Sequence, residues 1–251
     1  MLFRRIYQFL IVYLTGVSTL LLIKHSLQLS NYVIPNIPLI LETAQTNAGP
    51  YFLDVLNTLG IAVLGQIISI ALAFSVGIAG RRSSWMGSFI KMAAYNIQAY
   101  PIVALAPIIF ILLGDGFIPR LLIASMICYF PLLLSVLGIM STPIKDIEHF
   151  YRVTGRMRWQ LEVKIRAFEN LNKLTTVISG SATLAMAGAI VAEFIAANAG
   201  IGYSIRIALY QSDLAKILIA LFMIGIVISV YQGFLESCSE KAKIHWGIAG
   251  D

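Results

Sequence analysis

The chain has 251 residues, 59% of them hydrophobic, a mean hydropathy of +0.84 and only 12% charged side chains. That charged share is about half of what a soluble domain carries, so a water-covered globule is excluded and lipid must be the solvent. The net charge of +6 is read as basic loops on one side of a membrane, not as a nucleic-acid footprint.

At roughly 20 residues per crossing, a chain of this length holds five to seven spanning helices. Arg4 and Arg5 precede an apolar run from Ile6 to Ile23. The run exceeds a signal-peptide core, and Lys24, His25 and Ser26 follow it in place of a small-x-small cleavage site. It is therefore expected to be a retained first span, 6–23. Residues 24–54 are more polar, with Pro35, Pro38 and the short amphipathic stretch IPLILETA, which predicts a helix lying at the outer interface. The second span is expected at 55–80. The third, 90–113, is interrupted by Pro101 and Pro107, and the fourth, 118–140, contains Pro131. A polar loop occupies 141–173, the fifth span 174–196, and the sixth 215–235. Residues 197–214 are too polar to span and too apolar to be free, which predicts a short helix tucked against the outer mouth. The fold class expected is an all-α polytopic membrane protein, one transmembrane domain over 1–251 with six spans.

Orientation follows from Lys and Arg. With the N-terminus inside, the inner segments hold fourteen (Arg4 and Arg5; Arg81, Arg82 and Lys91; seven in the 141–173 loop; Lys241 and Lys243). The outer segments hold four, Lys24, Arg120, Arg206 and Lys216. The bias places both termini and the long loop in the cytoplasm.

The fifth span is rich in small residues. Ser181, Ala185 and Ala189 stand four apart, as do Gly180, Leu184, Gly188 and Ala192, a spacing that lets helix backbones approach closely in lipid. This helix is expected at the bundle centre or at a dimer axis. Cys128 lies mid-span and Cys238 in the polar tail, so neither a disulfide nor a metal site is suggested.

The loop 141–173 holds eleven of the thirty charged residues, seven of them basic. Its apolar residues recur at helical spacings: Ile147, Phe150 and Tyr151, then Met157, Leu161, Ile165 and Phe168. Gly155 interrupts the pattern, which predicts two short helices joined at a glycine turn. Trp159 and Phe168 cannot both be buried against the membrane domain, so a cytoplasmic partner groove is expected to cover them. The alternative is an amphipathic hairpin on anionic headgroups.

Glu193 is the acidic residue well inside a predicted span. A charge at mid-helix costs roughly 2.5 kcal/mol or more on insertion scales, so it is expected to be functional or paired. Three roles are open: a gate, a substrate contact, or a structural acceptor satisfied by backbone amides of the ANAGIGYS segment or by Arg206. Gln66, Asn96 and Gln98, with Asn198 beyond the fifth span, are the other candidates for a translocation path or gate, and interhelical hydrogen bonding is the alternative for the amides. Gly200 and Gly202 suggest a tight backbone turn.

These features resemble the permease subunit of type I ABC importers, the binding-protein-dependent inner-membrane component. That family's long cytoplasmic loop carries Glu-Ala-Ala, three residues, Gly, nine residues, Ile-x-Leu-Pro. Here Gly155 and Ile165 keep the frame, while His149, Phe150 and Tyr151 replace Glu-Ala-Ala, and Ala167 and Phe168 replace Leu-Pro. The stretch IVAEFIAANAGIGYSI (190–205) is similar to the Ala-Glu-Met-x-x-(Ala/Ser)-x-x-Gly-(Leu/Ile)-Gly-Tyr segment of the nitrate/sulfonate/taurine subfamily. Arg158-Trp159-Gln160 and PIVALAPIIFILLGDG fit the same subfamily.

The resemblance implies a dimeric path, formed with a second permease chain in a homodimer or heterodimer, and two cytoplasmic ATPase subunits that bind ATP and Mg. It further implies a periplasmic or lipid-anchored binding protein at the outer face of a bacterial inner membrane. The loop helices would dock on the ATPases, which makes Gly155, Arg156, Arg158, Trp159, Leu161 and Ile165 the coupling residues. The substrates of the subfamily are nitrate, bicarbonate, sulfonates, aromatic acids and pyrimidine-type vitamin precursors. The chain has no Gly-x-x-x-x-Gly-Lys-(Ser/Thr) loop, so ATP hydrolysis is expected on a partner and no catalytic, cofactor or metal residue on this chain. The alternatives are a secondary transporter or channel acting without an ATPase, which would carry more mid-membrane charges for ion coupling, and a membrane scaffold that recruits a partner without transport.

Overall fold

The computed structural model describes residues 2–81, 83–141, 149, 153 and 159–245. Among these, nine helices are continuous: α1 (Leu2–Ser26), α2 (Ile37–Gly80), α3 (Ser84–Ala99), α4 (Ile102–Leu113), α5 (Phe117–Ser141), α6 (Trp159–Glu169), α7 (Leu171–Ile195), α8 (Ile201–Tyr210) and α9 (Leu214–His245). Five of them, α1, α2, α5, α7 and α9, are long and apolar enough to cross a membrane. The pair α3 and α4 adds a sixth crossing as a span bent by 83°.

One expectation changes. The helix foreseen at the outer interface is not separate from the second span, because α2 runs unbroken for 44 residues, through Pro50. Its start is set by Asn36, whose side chain accepts from the Leu39 amide at 3.1 Å, and by Pro38 in the first turn, where a missing N–H costs nothing. At about 1.5 Å per residue the helix is about 66 Å long, twice a bilayer core, so its first half stands outside the hydrocarbon. The third span is interrupted, as expected, and the break falls at Pro101. Pro101 forces Tyr100 out of the helical region to φ −75°, ψ 132°, as expected for a residue before proline. Pro107 and Pro131 stay inside α4 and α5.

The core is built from α2, α5 and α7. Val55, Ile123, Ala124, Val136, Ala185 and Ala189 are fully buried there. The small residues of α7 permit the close approach. A Cβ on Gly188 would come 2.9 Å from the Ala124 Cα of α5 and 3.1 Å from the Ile127 Cβ. Gly180, in the same series, faces open space. The outward faces are apolar, with Ile111 and Leu112 of α4 and Phe3 of α1 exposed, as lipid-facing residues must be. Peripheral α1 runs antiparallel to α9, joined to it by the Phe9, Tyr13 and Phe222 rings, by the Tyr13 hydroxyl on the Leu218 carbonyl (3.0 Å) and by the Arg5–Glu236 ion pair. The bundle therefore has two polar ends, one carrying α6 and the first residues of α1, the other carrying α8.

Candidate functional site

At the α8 end, α7 and α8 cap each other. The first amides of any helix lack intrahelical partners, and Gly200, the N-cap of α8, has no side chain to offer them. Glu193, near the end of α7, takes that role. Its Oε2 accepts from the Gly202 amide at 3.1 Å and from the Thr58 hydroxyl of α2 at 2.7 Å. Thr58 Oγ1 accepts in turn from the Ile201 amide at 3.0 Å. Placing a carboxylate at a helix N-terminus also suits the helix dipole. The positive charge nearest Glu193 is Arg120 of α5, whose Nη1 lies 3.6 Å from Oε1. Arg120 is held by donating to the Gly116 carbonyl (3.0 Å) and to Asn57 Oδ1 (3.2 Å). Glu193 and Thr58 have no exposed surface and Arg120 is 9% exposed.

Arg206 is therefore not the partner of Glu193. It donates to the Phe194 carbonyl at 3.3 Å and the Ala197 carbonyl at 2.6 Å, closing the C-terminal end of α7, with its guanidinium 5.2 Å from the centroid of the Tyr203 ring. A further tie joins Ser204 Oγ of α8 to Asp54 Oδ2 of α2 at 2.5 Å. The turn into α8 accepts only glycine. Gly200 sits at φ +92°, and a Cβ there would fall on the Glu193 carboxyl group. A Cβ on Gly202 would come 2.7 Å from the Glu193 Cβ and 2.9 Å from the Phe194 amide.

Mid-bundle, Gln66 ties three helices. Its Nε2 donates to the Ile178 carbonyl (2.8 Å) and to Ser181 Oγ (3.0 Å) of α7, and its Oε1 accepts from the Tyr231 hydroxyl of α9 at 2.6 Å. With 1% of its surface exposed, it is engaged within the bundle. Asn96 and Gln98 lie elsewhere, exposed on the last turn of α3 beside the break at Tyr100 and Pro101. Asn198 is exposed between α7 and α8 and donates to Asp115 Oδ2 at 2.6 Å. The five path candidates thus fall into three separate places.

At the α6 end, the inward face of α6 is charged. Glu162 Oε1 accepts from Arg166 Nε on the same helix at 2.9 Å, and from Arg81 Nε at 3.1 Å and Nη2 at 2.5 Å. Arg81 is the C-cap of α2, where a cation also meets the negative end of the dipole. Glu162 and Arg166 are each 5% exposed, while Phe168 is 46% exposed. Of the coupling candidates, Trp159 and Leu161 lie in α6 and Ile165 is half-buried on it. Gly155, Arg156 and Arg158 lie outside the described residues, and with them the expected glycine turn.

Sequence reasoning passed over Arg120, Thr58, Asp54, Arg81, Glu162 and Arg166. The four-residue spacing of Glu162 and Arg166 was a signal for an intrahelical pair, and Arg120 at the start of an apolar span was a signal for a buried counter-charge. Nothing local marks Thr58 or Arg81.

Residues 69–236 match the family described as binding-protein-dependent transport system inner membrane component. Over 164 residues the chain is 32% identical to the riboflavin transport system permease protein RibX of Chloroflexus aurantiacus, a stretch covering 64% of this chain and 60% of that protein. It is 22% identical over 201 residues to the formylaminopyrimidine transport permease protein ThiX of Halalkalibacterium halodurans, covering 78% of this chain and 79% of the relative.

Proposed function

This chain belongs to the family of binding-protein-dependent transport system inner membrane components, and on that premise we propose that it forms, with a second permease chain, the substrate path of an ATP-driven importer for a small neutral heteroaromatic solute. It is a multi-pass membrane permease of the type I ABC importer class. Two cytoplasmic ATPase subunits, holding ATP and Mg, dock on α6 and the loop before it, and a binding protein delivers solute at the α8 end. The excess of Lys and Arg, fourteen against four, supports putting α6 and both termini in the cytoplasm. The single observation that carries the reading is the family match, which spans both the loop and the α7–α8 lock.

The solute class rests on the relatives' names and on the broken span. From the start of α3 to its break is 16 residues, about 24 Å of helix, less than the roughly 30 Å of a hydrocarbon core. Backbone left unpaired at that depth is tolerated only against protein or a water-filled cavity, and discontinuous helices mark binding sites in other transporters. Around this break Asn96, Gln98, Tyr95 and Tyr100 are exposed, and residues 92–113 contain no charged side chain. Neutral amides and phenol rings suit a flavin or aminopyrimidine better than nitrate, bicarbonate or a sulfonate, which would call for a cation. The likeness of residues 190–205 to the nitrate/sulfonate/taurine subfamily fixes no anion.

The test is purification of the tagged chain from its own membrane. A P-loop ATPase identified by mass spectrometry and ATP hydrolysis in the preparation are expected, and both should be lost in Gly155→Pro combined with Trp159→Ala. A wild-type preparation carrying no ATPase, or a double variant indistinguishable from it, removes the coupling role.

A further inference from the structure

Polar side chains in the spanning helices mostly turn inward or back onto their own backbone. Gln66, Ser69, Ser181 and Glu193 are buried. The exposed hydroxyls of Thr19 and Ser75 donate to the Thr15 and Ala71 carbonyls at 2.8 and 2.7 Å, which satisfies a hydroxyl at a lipid surface. Gln232 and Thr183 do neither. Gln232 of α9 donates its amide N–H to Thr183 Oγ1 of α7, yet Thr183 is exposed and Gln232 half-buried. Among the described residues Gln232 Oε1 has no hydrogen-bond partner. Thr183 has twelve residues of α7 on either side, so it lies about 18 Å from each end of the helix, at the middle of the membrane. An amide with an open acceptor is costly to place against hydrocarbon, so this face of α7 and α9 does not meet lipid.

The surface between the pair and the α6 end of the bundle is shaped accordingly. A recess of about 330 Å³ extends from Gln232 and Gly180, past Thr176 and Ser179, to Arg4 and Lys243. That volume is at the lower end of the roughly 300–1,000 Å³ of ligand pockets. Its charged residues, among them the Arg5–Glu236 pair, belong to the first turns of α1 and the last three of α9. The deeper wall offers only hydroxyls, glycine and the Gln232 amide. Beside it on α7, Val177 packs with Ile102 of α4 against the cluster that holds Ala94 of α3. Helix α7 thus joins Gln232 to the surroundings of the broken span.

We propose that Gln232, steadied by Thr183, lines the water-filled solute path and hydrogen-bonds the solute in transit, as a specificity-determining residue for a neutral heteroaromatic ring. A primary amide presents a donor and an acceptor side by side. It matches the ring edge of a flavin or an aminopyrimidine and brings no charge to attract an anion. The inference rests on the proposed solute class and names a residue that reads it.

Thiol labelling tests it, in inside-out membrane vesicles that carry the whole transporter. The background is Cys238→Ser, which leaves the buried Cys128. Gly180→Cys lies one turn from Thr183, and its Cβ meets nothing within 4 Å. Val230→Cys, at an exposed apolar position about 200° round α9 from Gln232, is the lipid-facing control. A charged, membrane-impermeant methanethiosulfonate should modify Gly180→Cys and spare Val230→Cys. Riboflavin or formylaminopyrimidine should slow that modification. Adding Gln232→Leu should raise the protecting concentration roughly three- to tenfold, the effect of one neutral hydrogen bond, with the rate in the absence of solute unchanged. A role in helix packing alone would alter the solute-free rate and leave the protecting concentration in place. The inference is overturned if Gly180→Cys is as inert as Val230→Cys, as lipid or a covering helix would make it. It is equally overturned if Gln232→Leu leaves the protecting concentration unchanged, or if neither probe protects in vesicles that import one of them with ATP. Vesicles that import neither probe contradict the proposed solute class instead.

Discussion

Glu193 and Arg206 cap each other's helices: the carboxylate near the end of α7 accepts the Gly202 amide that opens α8, and the guanidinium on α8 donates to the Phe194 and Ala197 carbonyls that close α7. The exchange turns two helices through a tight corner with its exposed backbone groups satisfied, as the absence of bulk water in a membrane requires. It also explains why the corner contains Gly200 and Gly202, since the carboxyl group that does the capping fills the space a side chain would need.

Gly200→Ala should therefore destabilise the protein strongly. The substitution combines a backbone at φ +92°, ψ 172°, essentially reserved for glycine and costing another residue about 1–3 kcal/mol, with overpacking of about 1–3 kcal/mol. Thermal unfolding can be followed by the reactivity of the buried Cys128 thiol in a Cys238→Ser background. A drop of several degrees is expected for Gly200→Ala. Gly60→Ala, whose new methyl meets nothing within 4 Å in the middle of α2, should leave the midpoint unchanged or raise it.

The Glu193–Arg120 pair gives a double-mutant cycle. Removing one member of a buried ion pair costs about 3–5 kcal/mol because the other charge is left without compensation. Arg120→Gln and Glu193→Gln should each destabilise, and the double variant should lose less than the sum, by about 0.5–3 kcal/mol. Glu193→Ala should be worse than Glu193→Gln, since glutamine still offers an oxygen to the Gly202 amide. Additive losses would show that the 3.6 Å approach carries no coupling.

Much of this architecture was legible in the sequence, for physical reasons that differ by element. Spans were readable because twenty apolar residues have few alternatives to crossing a bilayer, and Pro101 marked the break because it constrains Tyr100. The extension of α2 back to Ile37 was hidden because its first half is polar, and amphipathic residues outside the membrane look alike whether they lie on the interface or continue a rod. Glu193 was legible from the cost of its charge. Its partners were not, since Thr58 and Arg120 are 135 and 73 residues distant and no local spacing reports such a contact. The burial of Glu162 and Arg166 on α6 was not legible for a related reason, since the bond from Arg81 comes from another helix.

The same difference separates Gln66 from the other amides. Gln66→Leu strands the Tyr231 hydroxyl and should cost about 1–2 kcal/mol of stability, since buried unsatisfied groups cost about 1–3 kcal/mol and interhelical bonds in membranes average about 0.6 kcal/mol. Adding Tyr231→Phe should recover part of that. Asn96→Ala and Gln98→Ala, exposed at the helix break, should leave the unfolding midpoint within a degree or so, as surface changes typically stay within about 0.5 kcal/mol. Their effect should fall on uptake. Solute competition assays on the four variants distinguish these outcomes.

The central claim, a permease that draws its energy from a partner ATPase, is tested most directly by solute uptake into proteoliposomes containing the chain, its co-purified ATPase and a cognate binding protein, with radiolabelled riboflavin and formylaminopyrimidine as probes. Accumulation of one of them that requires ATP and Mg, and that an imposed proton or sodium gradient cannot replace, is the result the account predicts. Gradient-driven uptake by vesicles containing this chain alone would contradict it.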